Sequence, residues 1–106
     1  MKFYSNIYSA NKKNLIKAAK LIKSGQVIAI PTETVYGLAG NAYRTDAVNK
    51  IYKLKKRPKS NPLIVHFPNL KAIEREAIVP EEVKKLISKF SPGPITYILS
   101  LKNNSS

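Results

Sequence analysis

Apolar positions return along the chain in two periods, and the switches between them mark out the elements. Over residues 12–24, Leu15, Ala18, Ala19 and Ile22 recur at helical spacing, lysines cover the other positions, and Gly25 supplies a stop. The run Val27-Ile28-Ala29-Ile30 is continuously apolar and ends at Pro31, the pattern of a strand buried on both faces. A second helix is predicted from Thr45, read as its cap, with Asp46 in the first turn where the helix dipole favours an anion. Val48, Ile51, Tyr52 and Lys55 share one face of it, and Pro58 ends it. Residues 63–67 form the next apolar run. Residues 27–67 therefore read as one strand–helix–strand unit, of the kind that joins parallel strands.

A short helix is predicted near 70–77 and a cleaner one at 81–90. Pro80 suits the first turn of the latter, Glu81 and Glu82 complement its dipole, and Val83, Leu86, Ile87 and Phe90 make its stripe. Ser91-Pro92-Gly93-Pro94 breaks the chain. Residues 95–101 then read as a final strand with Ile95, Tyr97, Leu99 and Leu101 on one face. The polar tail over 102–106 is expected to fray. An apolar strand placed last needs a neighbour and a cover. Either it forms the sheet edge, or the sheet continues with something after residue 106. The expected class is α/β.

Composition narrows the function classes. At 106 residues the chain fits one domain with a modest core. It has no cysteine, so neither a disulfide framework nor a thiolate site is available. One histidine and six acidic residues leave little for a histidine-based zinc site. No run approaches the roughly 18 apolar residues of a membrane span, and the N-terminus lacks a secretory apolar region. A soluble, cytoplasmic protein with no membrane partner is expected.

The net charge of +13 is unevenly placed. Residues 1–59 carry 13 basic and 2 acidic side chains, whereas residues 60–106 carry 6 and 4. One reading is an anionic partner for the first half, either nucleic acid or nucleotide phosphates. The other is compositional bias, because 16 of the 19 basic residues are lysine and Ile and Asn are also abundant. Bias explains less well why Lys50, Lys53, Lys55, Lys56, Arg57 and Lys59 fall within ten residues.

Three stretches can carry chemistry. Pro31-Thr32-Glu33-Thr34-Val35-Tyr36-Gly37-Leu38 follows a predicted strand, where open α/β sheets place ligands. Its hydroxyls, carboxylate and phenol can exchange hydrogen bonds with a polar ligand such as an amino acid, or its threonines can simply cap backbone groups. In the second stretch, Lys55 lies four residues after Ile51 and can bury its stem while presenting its ammonium to a cleft. Arg57, just past the helix end, offers a fork for phosphate oxygens, and Asn61 can hydrogen-bond a base or a phosphate. Cations at a helix C-terminus also complement the dipole without any ligand. The G-x-x-x-x-G-K-[ST] pattern of a P-loop is absent. His66, the single histidine, lies in the third stretch on the face of Ile64, opposite Leu63, Val65 and Phe67. It reads either as a satisfied core residue or, at the strand's C-terminal end, as a ligand contact. Tyr4, Tyr8, Tyr36, Tyr43 and Tyr52 follow no nucleic-acid motif, so core packing is expected of them before base stacking.

Taken in order, the loop over 31–38, Asn41-Ala42, the segment over 55–58, the segment over 61–66 and Ser91-Pro92-Gly93-Pro94-Ile95-Thr96 resemble the threonylcarbamoyl-AMP synthase (YrdC-like) family. The likeness runs from about residue 12 to about residue 101. It implies a twisted open mixed sheet with flanking helices and a concave, positively charged face. It implies condensation of L-threonine, bicarbonate and ATP into threonylcarbamoyl-adenylate with release of pyrophosphate, Mg2+ accompanying the nucleotide. The product serves threonylcarbamoyladenosine formation on tRNA, and some family members bind double-stranded RNA.

By the same resemblance, Thr34 and His66 match threonine-contacting positions, Arg57 and Asn61 match ATP-contacting positions, and Lys55 lies near the phosphates. Lys55 and Arg57 are then the catalytic pair, neutralising charge. Lys56 stands where relatives usually have glycine. The family domain also runs beyond residue 106, so residues 1–106 are expected to be its N-terminal part. On that reading the chain is inactive alone, and a polypeptide supplying the remainder is an expected partner. The alternative is a non-catalytic module binding double-stranded RNA or tRNA.

Overall fold

The computed structural model describes residues 7–32 and 35–106. In chain order the elements are α1 (Lys12–Lys23), β1 (Ile28–Pro31), β2 (Tyr36–Ala39), α2 (Thr45–Leu54), α3 (Leu70–Glu76) and α4 (Glu81–Phe90). The class is α/β, as expected. The chain divides into two compact units, residues 1–61 and 62–106.

In the first unit, α1 begins because the Asn11 side chain accepts the Asn14 N–H at 2.9 Å, filling one of the orphan donors of the first turn. It ends at Gly25, whose φ of +92° lies in the left-handed region. β1 pairs antiparallel with β2, Ile28 opposite Ala39 and Pro31 opposite Tyr36. The Thr32 hydroxyl donates to the Val35 carbonyl and accepts the Val35 N–H. This changes the predicted order. The partner of the first strand is the next segment in sequence, because an antiparallel neighbour can follow after a few residues whereas a parallel crossover needs a dozen or more.

α2 packs on the hairpin at Gly40. A Cβ there would stand 3.4 Å from both Ala47 Cβ and Ile51 Cδ1, and 3.6 Å from Val27 Cγ2. Ala47 and Ile51 are the buried residues of α2. Its cap differs from the expectation: Arg44 occupies the N-cap and Thr45 is the first helical residue. Asp46 takes over the capping chemistry, accepting the Ala47 N–H while it pairs with Arg44. α2 ends at Leu54, with Lys55 as C-cap and Lys56 at φ +50°, before Pro58 is reached.

In the second unit, Asn69 caps α3 by accepting the Ala72 N–H, and Pro80 is the N-cap of α4 rather than a first-turn residue. Lys84 ties the two helices, 3.2 Å from Glu81 and 3.6 Å from Glu74. The pKa of its ammonium is raised above the usual lysine value, chiefly by the hydrogen bond it donates to Glu81. Ala77 and Ile87 are buried here. Residues 63–67 form no ladder, and the segment over 95–101 joins only through an antiparallel bridge between Ala77 and Leu101. A strand needs a hydrogen-bonded neighbour along its length; among the described residues 63–67 form no ladder and 95–101 is bridged only at its end. Alternation survives over 97–100: Tyr97 and Leu99 are half-buried, and Ile98 is 98% exposed.

The tail is docked rather than frayed. The Lys102 N–H donates to the Glu76 carbonyl, and Ser105 Oγ and the Ser106 N–H both reach the Glu76 carboxylate. Two donors on one carboxylate give polar residues a reason to be ordered.

Candidate functional site: the basic loop after the second helix

The end of α2 and the loop behind it form the best-defined constellation in the first unit. Lys55 caps the helix, its N–H donating to the Ile51 carbonyl at 3.1 Å, and its side chain is exposed. Lys56 turns the chain in the left-handed region, its N–H bonding the Lys53 carbonyl at 3.2 Å. The chain then comes back over the helix end. The Arg57 N–H donates to the Tyr52 carbonyl at 2.9 Å, and the Asn61 N–H donates to the Pro58 carbonyl at 3.0 Å.

Two side chains converge on a single acceptor. The Asn61 carbonyl takes the Arg57 Nε–H at 3.2 Å and the Tyr52 hydroxyl at 3.0 Å. Arg57 is half-buried and Asn61 is exposed. A guanidinium held through Nε has its plane fixed, so the direction of its fork is set before any ligand arrives. Lys59 Nζ is held 2.7 Å from Asn49 Oδ1 on α2, keeping a further cation beside the same loop. Lys50, Lys53 and Lys56 line a shallow surface depression with Asp46, Asn49 and Leu54. Chemically, this is a preordered anion-facing loop at the basic end of a helix.

The remaining site expectations distribute as follows. Arg57 and Asn61 are brought together, Arg57 Nε–H on the Asn61 carbonyl, while Lys55 caps α2 with its side chain exposed. Thr34 lies outside the described residues, as does Tyr4. His66 belongs to the second unit and is exposed, together with Ile64, while Leu63 and Phe67 are half-buried. His66 is thus on the side away from the packed residues, so the satisfied-core reading gives way to a surface position. The core role expected of these tyrosines is also corrected: Tyr8, Tyr36 and Tyr43 are exposed, and Tyr52 is half-buried. Small buried side chains such as Ala47 leave the aromatic rings outside the packed centre.

Sequence reasoning missed Tyr52 as part of this site, counting it with the helix stripe. The available signal was its place five residues before Arg57, one helical turn and a bend away. Among the described residues there is no group of three or more His, Cys, Asp or Glu that could hold a metal ion, and no helix is long and apolar enough to cross a membrane.

The chain is similar in sequence and fold to known proteins. The threonylcarbamoyl-AMP synthase of Bacillus subtilis (strain 168) is 47% identical over 95 residues, covering 89% of this chain and 28% of that protein. The putative threonylcarbamoyl-AMP synthase of Methanocaldococcus jannaschii is 37% identical over 100 residues, covering 91% of this chain and 48% of that protein. A crystal structure of P. abyssi Sua5 complexed with L-threonine superposes with a TM-score of 0.83 at 38% identity, covering 93% of this chain and 29% of that one. The chain therefore spans between about a quarter and a half of the relatives it matches. The family model described as "Telomere recombination" matches residues 20–106, and the chain belongs to this Sua5/YciO/YrdC family.

Proposed function

We propose that this chain carries the ATP- and threonine-facing elements of a threonylcarbamoyl-AMP synthase serving tRNA modification in the cytoplasm. The observation that carries the reading is the closed loop over 57–61, which holds the Arg57 guanidinium against the Asn61 carbonyl just past the basic end of α2. Relatives named threonylcarbamoyl-AMP synthase, and a relative crystallised with L-threonine, support the choice of reaction.

In this reading, Thr34 and His66 bind L-threonine. Its amine takes up bicarbonate with loss of water to give a carbamate. A carbamate oxygen attacks the α-phosphorus of ATP, the bond to the bridging oxygen breaks, and pyrophosphate leaves. The nucleophile is weak and both reactants are anionic, so catalysis is positioning plus charge neutralisation. Arg57 and Lys55 supply that neutralisation, and Asn61 orients the nucleotide. The described residues do not offer a magnesium cage, and Asp46 is engaged with Arg44 and the Ala47 N–H. Magnesium in this reading is carried by the nucleotide phosphates, and no step is routed through it.

The deciding experiment measures pyrophosphate release from ATP with threonine and bicarbonate. The 106-residue chain is assayed alone and with a polypeptide supplying the remainder of the family domain. Release only in the mixture, lost by about 100-fold or more in Arg57→Ala, is the expected outcome. Release that ignores threonine, or none in either arm, overturns the reading.

A second reading, a non-catalytic module binding tRNA or double-stranded RNA, is favoured by one observation. α1 carries Lys12, Lys13, Lys17, Lys20 and Lys23 and no acidic residue. Such binding weakens steeply with salt. Charge reversal at Lys13, Lys17 and Lys20 of α1, together with Lys50, Lys53 and Lys59, that leaves RNA affinity unchanged would sink it.

A further inference from the structure

The loop over 57–61 is fastened at both ends to one residue of α2. The Tyr52 carbonyl accepts the Arg57 N–H at 2.9 Å, and the Tyr52 hydroxyl donates to the Asn61 carbonyl at 3.0 Å. The same Asn61 carbonyl accepts Arg57 Nε–H at 3.2 Å. Tyr52 is half-buried on α2, one position after Ile51, which is buried against Gly40 of the hairpin segment. Its ring is partly covered, and its hydroxyl is delivered to the loop from a helix.

These contacts make a closed circuit through Tyr52, Arg57 and Asn61. Breaking one hydrogen bond of it leaves the Asn61 carbonyl with Arg57 as its remaining partner in the circuit, and lets the turn and the guanidinium plane move together. We propose that Tyr52 is a positioning residue for nucleotide binding: its hydroxyl, which touches no substrate, sets the geometry of Arg57 and Asn61 toward a nucleoside triphosphate. This rests on the reading of Arg57 and Asn61 as ATP contacts given above. It adds a residue outside the segments over 55–58 and 61–66 and assigns it an effect on one substrate only.

The test measures equilibrium affinity for ATP and for L-threonine, and the thermal midpoint, in the full chain, in Tyr52→Phe and in Arg57→Ala. Tyr52→Phe keeps the ring and removes only the hydroxyl. It is expected to weaken ATP binding about 2- to 10-fold, the range for one lost hydrogen bond, with threonine affinity and the thermal midpoint near those of the parent chain. Arg57→Ala is expected to weaken ATP binding more. If Tyr52→Phe binds ATP like the parent chain while Arg57→Ala does not, the role of Tyr52 is overturned and the ATP reading stands. Equal loss of ATP and threonine affinity in Tyr52→Phe, tracking a fall in thermal midpoint, also overturns it, since that marks a merely structural residue. If Arg57→Ala binds ATP unchanged, or the parent chain binds none, the ATP reading fails and the proposal falls with it.

Discussion

Arg44 grips Asp46 at two points, Nε to Oδ1 at 3.1 Å and Nη2 to Oδ2 at 2.8 Å, and lays its guanidinium across Gly25. The pair joins the stop of α1 to the start of α2, which ends in the basic loop. The hydrogen bond from Arg44 is the main influence holding the Asp46 carboxyl below the usual aspartate value, and the carboxylate in turn raises Arg44.

A depressed carboxyl contributes stability that is present above its unfolded value, about 3.9, and is lost as pH falls through the lower folded value. Asp46→Asn should therefore lower the thermal midpoint slightly at pH 7. The difference from the parent chain should narrow as pH falls through the lowered folded value. Circular dichroism melts over a descending pH series check this.

Gly25→Ala should destabilise the first unit by about 1–2 kcal/mol, the cost of a side chain in the left-handed region. The added Cβ would also meet the Arg44 guanidinium, 2.5 Å from Cζ. Part of the loss should thus be the displaced Arg44–Asp46 pair. Urea unfolding of Gly25→Ala, Asp46→Asn and the double variant should give a double-variant loss smaller than the sum of the two single losses.

Ile87 and Ile98 test where the second unit keeps its packing. Ile87 is 7% exposed, so Ile87→Ala should cost about 3 kcal/mol. Ile98 is 98% exposed, and Ile98→Ser should stay within about 0.5 kcal/mol. Chemical denaturation of the two variants separates them.

His66→Ala should weaken L-threonine binding by about 10-fold, as for a hydrogen bond to a charged ligand, and leave ATP binding unchanged. Calorimetric titration with each ligand gives the contrast. Arg57→Ala should show the opposite pattern.

The helices were legible because their signals are local. Lysines around Leu15, Ala18 and Ile22, the acids at Glu81 and Glu82, and the stop at Gly25 fix α1 and α4 to within a residue or so. The pairing of strands was not legible, since an apolar run such as 63–67 looks the same with or without a neighbour. β2 went unseen because Tyr36-Gly37-Leu38-Ala39 has a glycine in its interior and weak alternation. Lys55, Arg57 and Asn61 could be named from residue types alone. The role of Tyr52 could not, because it depends on a hydroxyl meeting a backbone carbonyl nine residues away.

The left-handed turn at Lys56 has a consequence for how readily the loop tolerates its charge. A lysine at φ +50° is strained by about 1–2 kcal/mol, yet a glycine there would give the unfolded chain more freedom, a loss of about 0.5–1 kcal/mol. The two effects largely offset each other, so exchange between Lys and Gly is close to neutral for folding. Lys56→Gly should therefore remove one cation from the loop while leaving the unfolding free energy within about 1 kcal/mol, so charge and folding can be varied separately at this position.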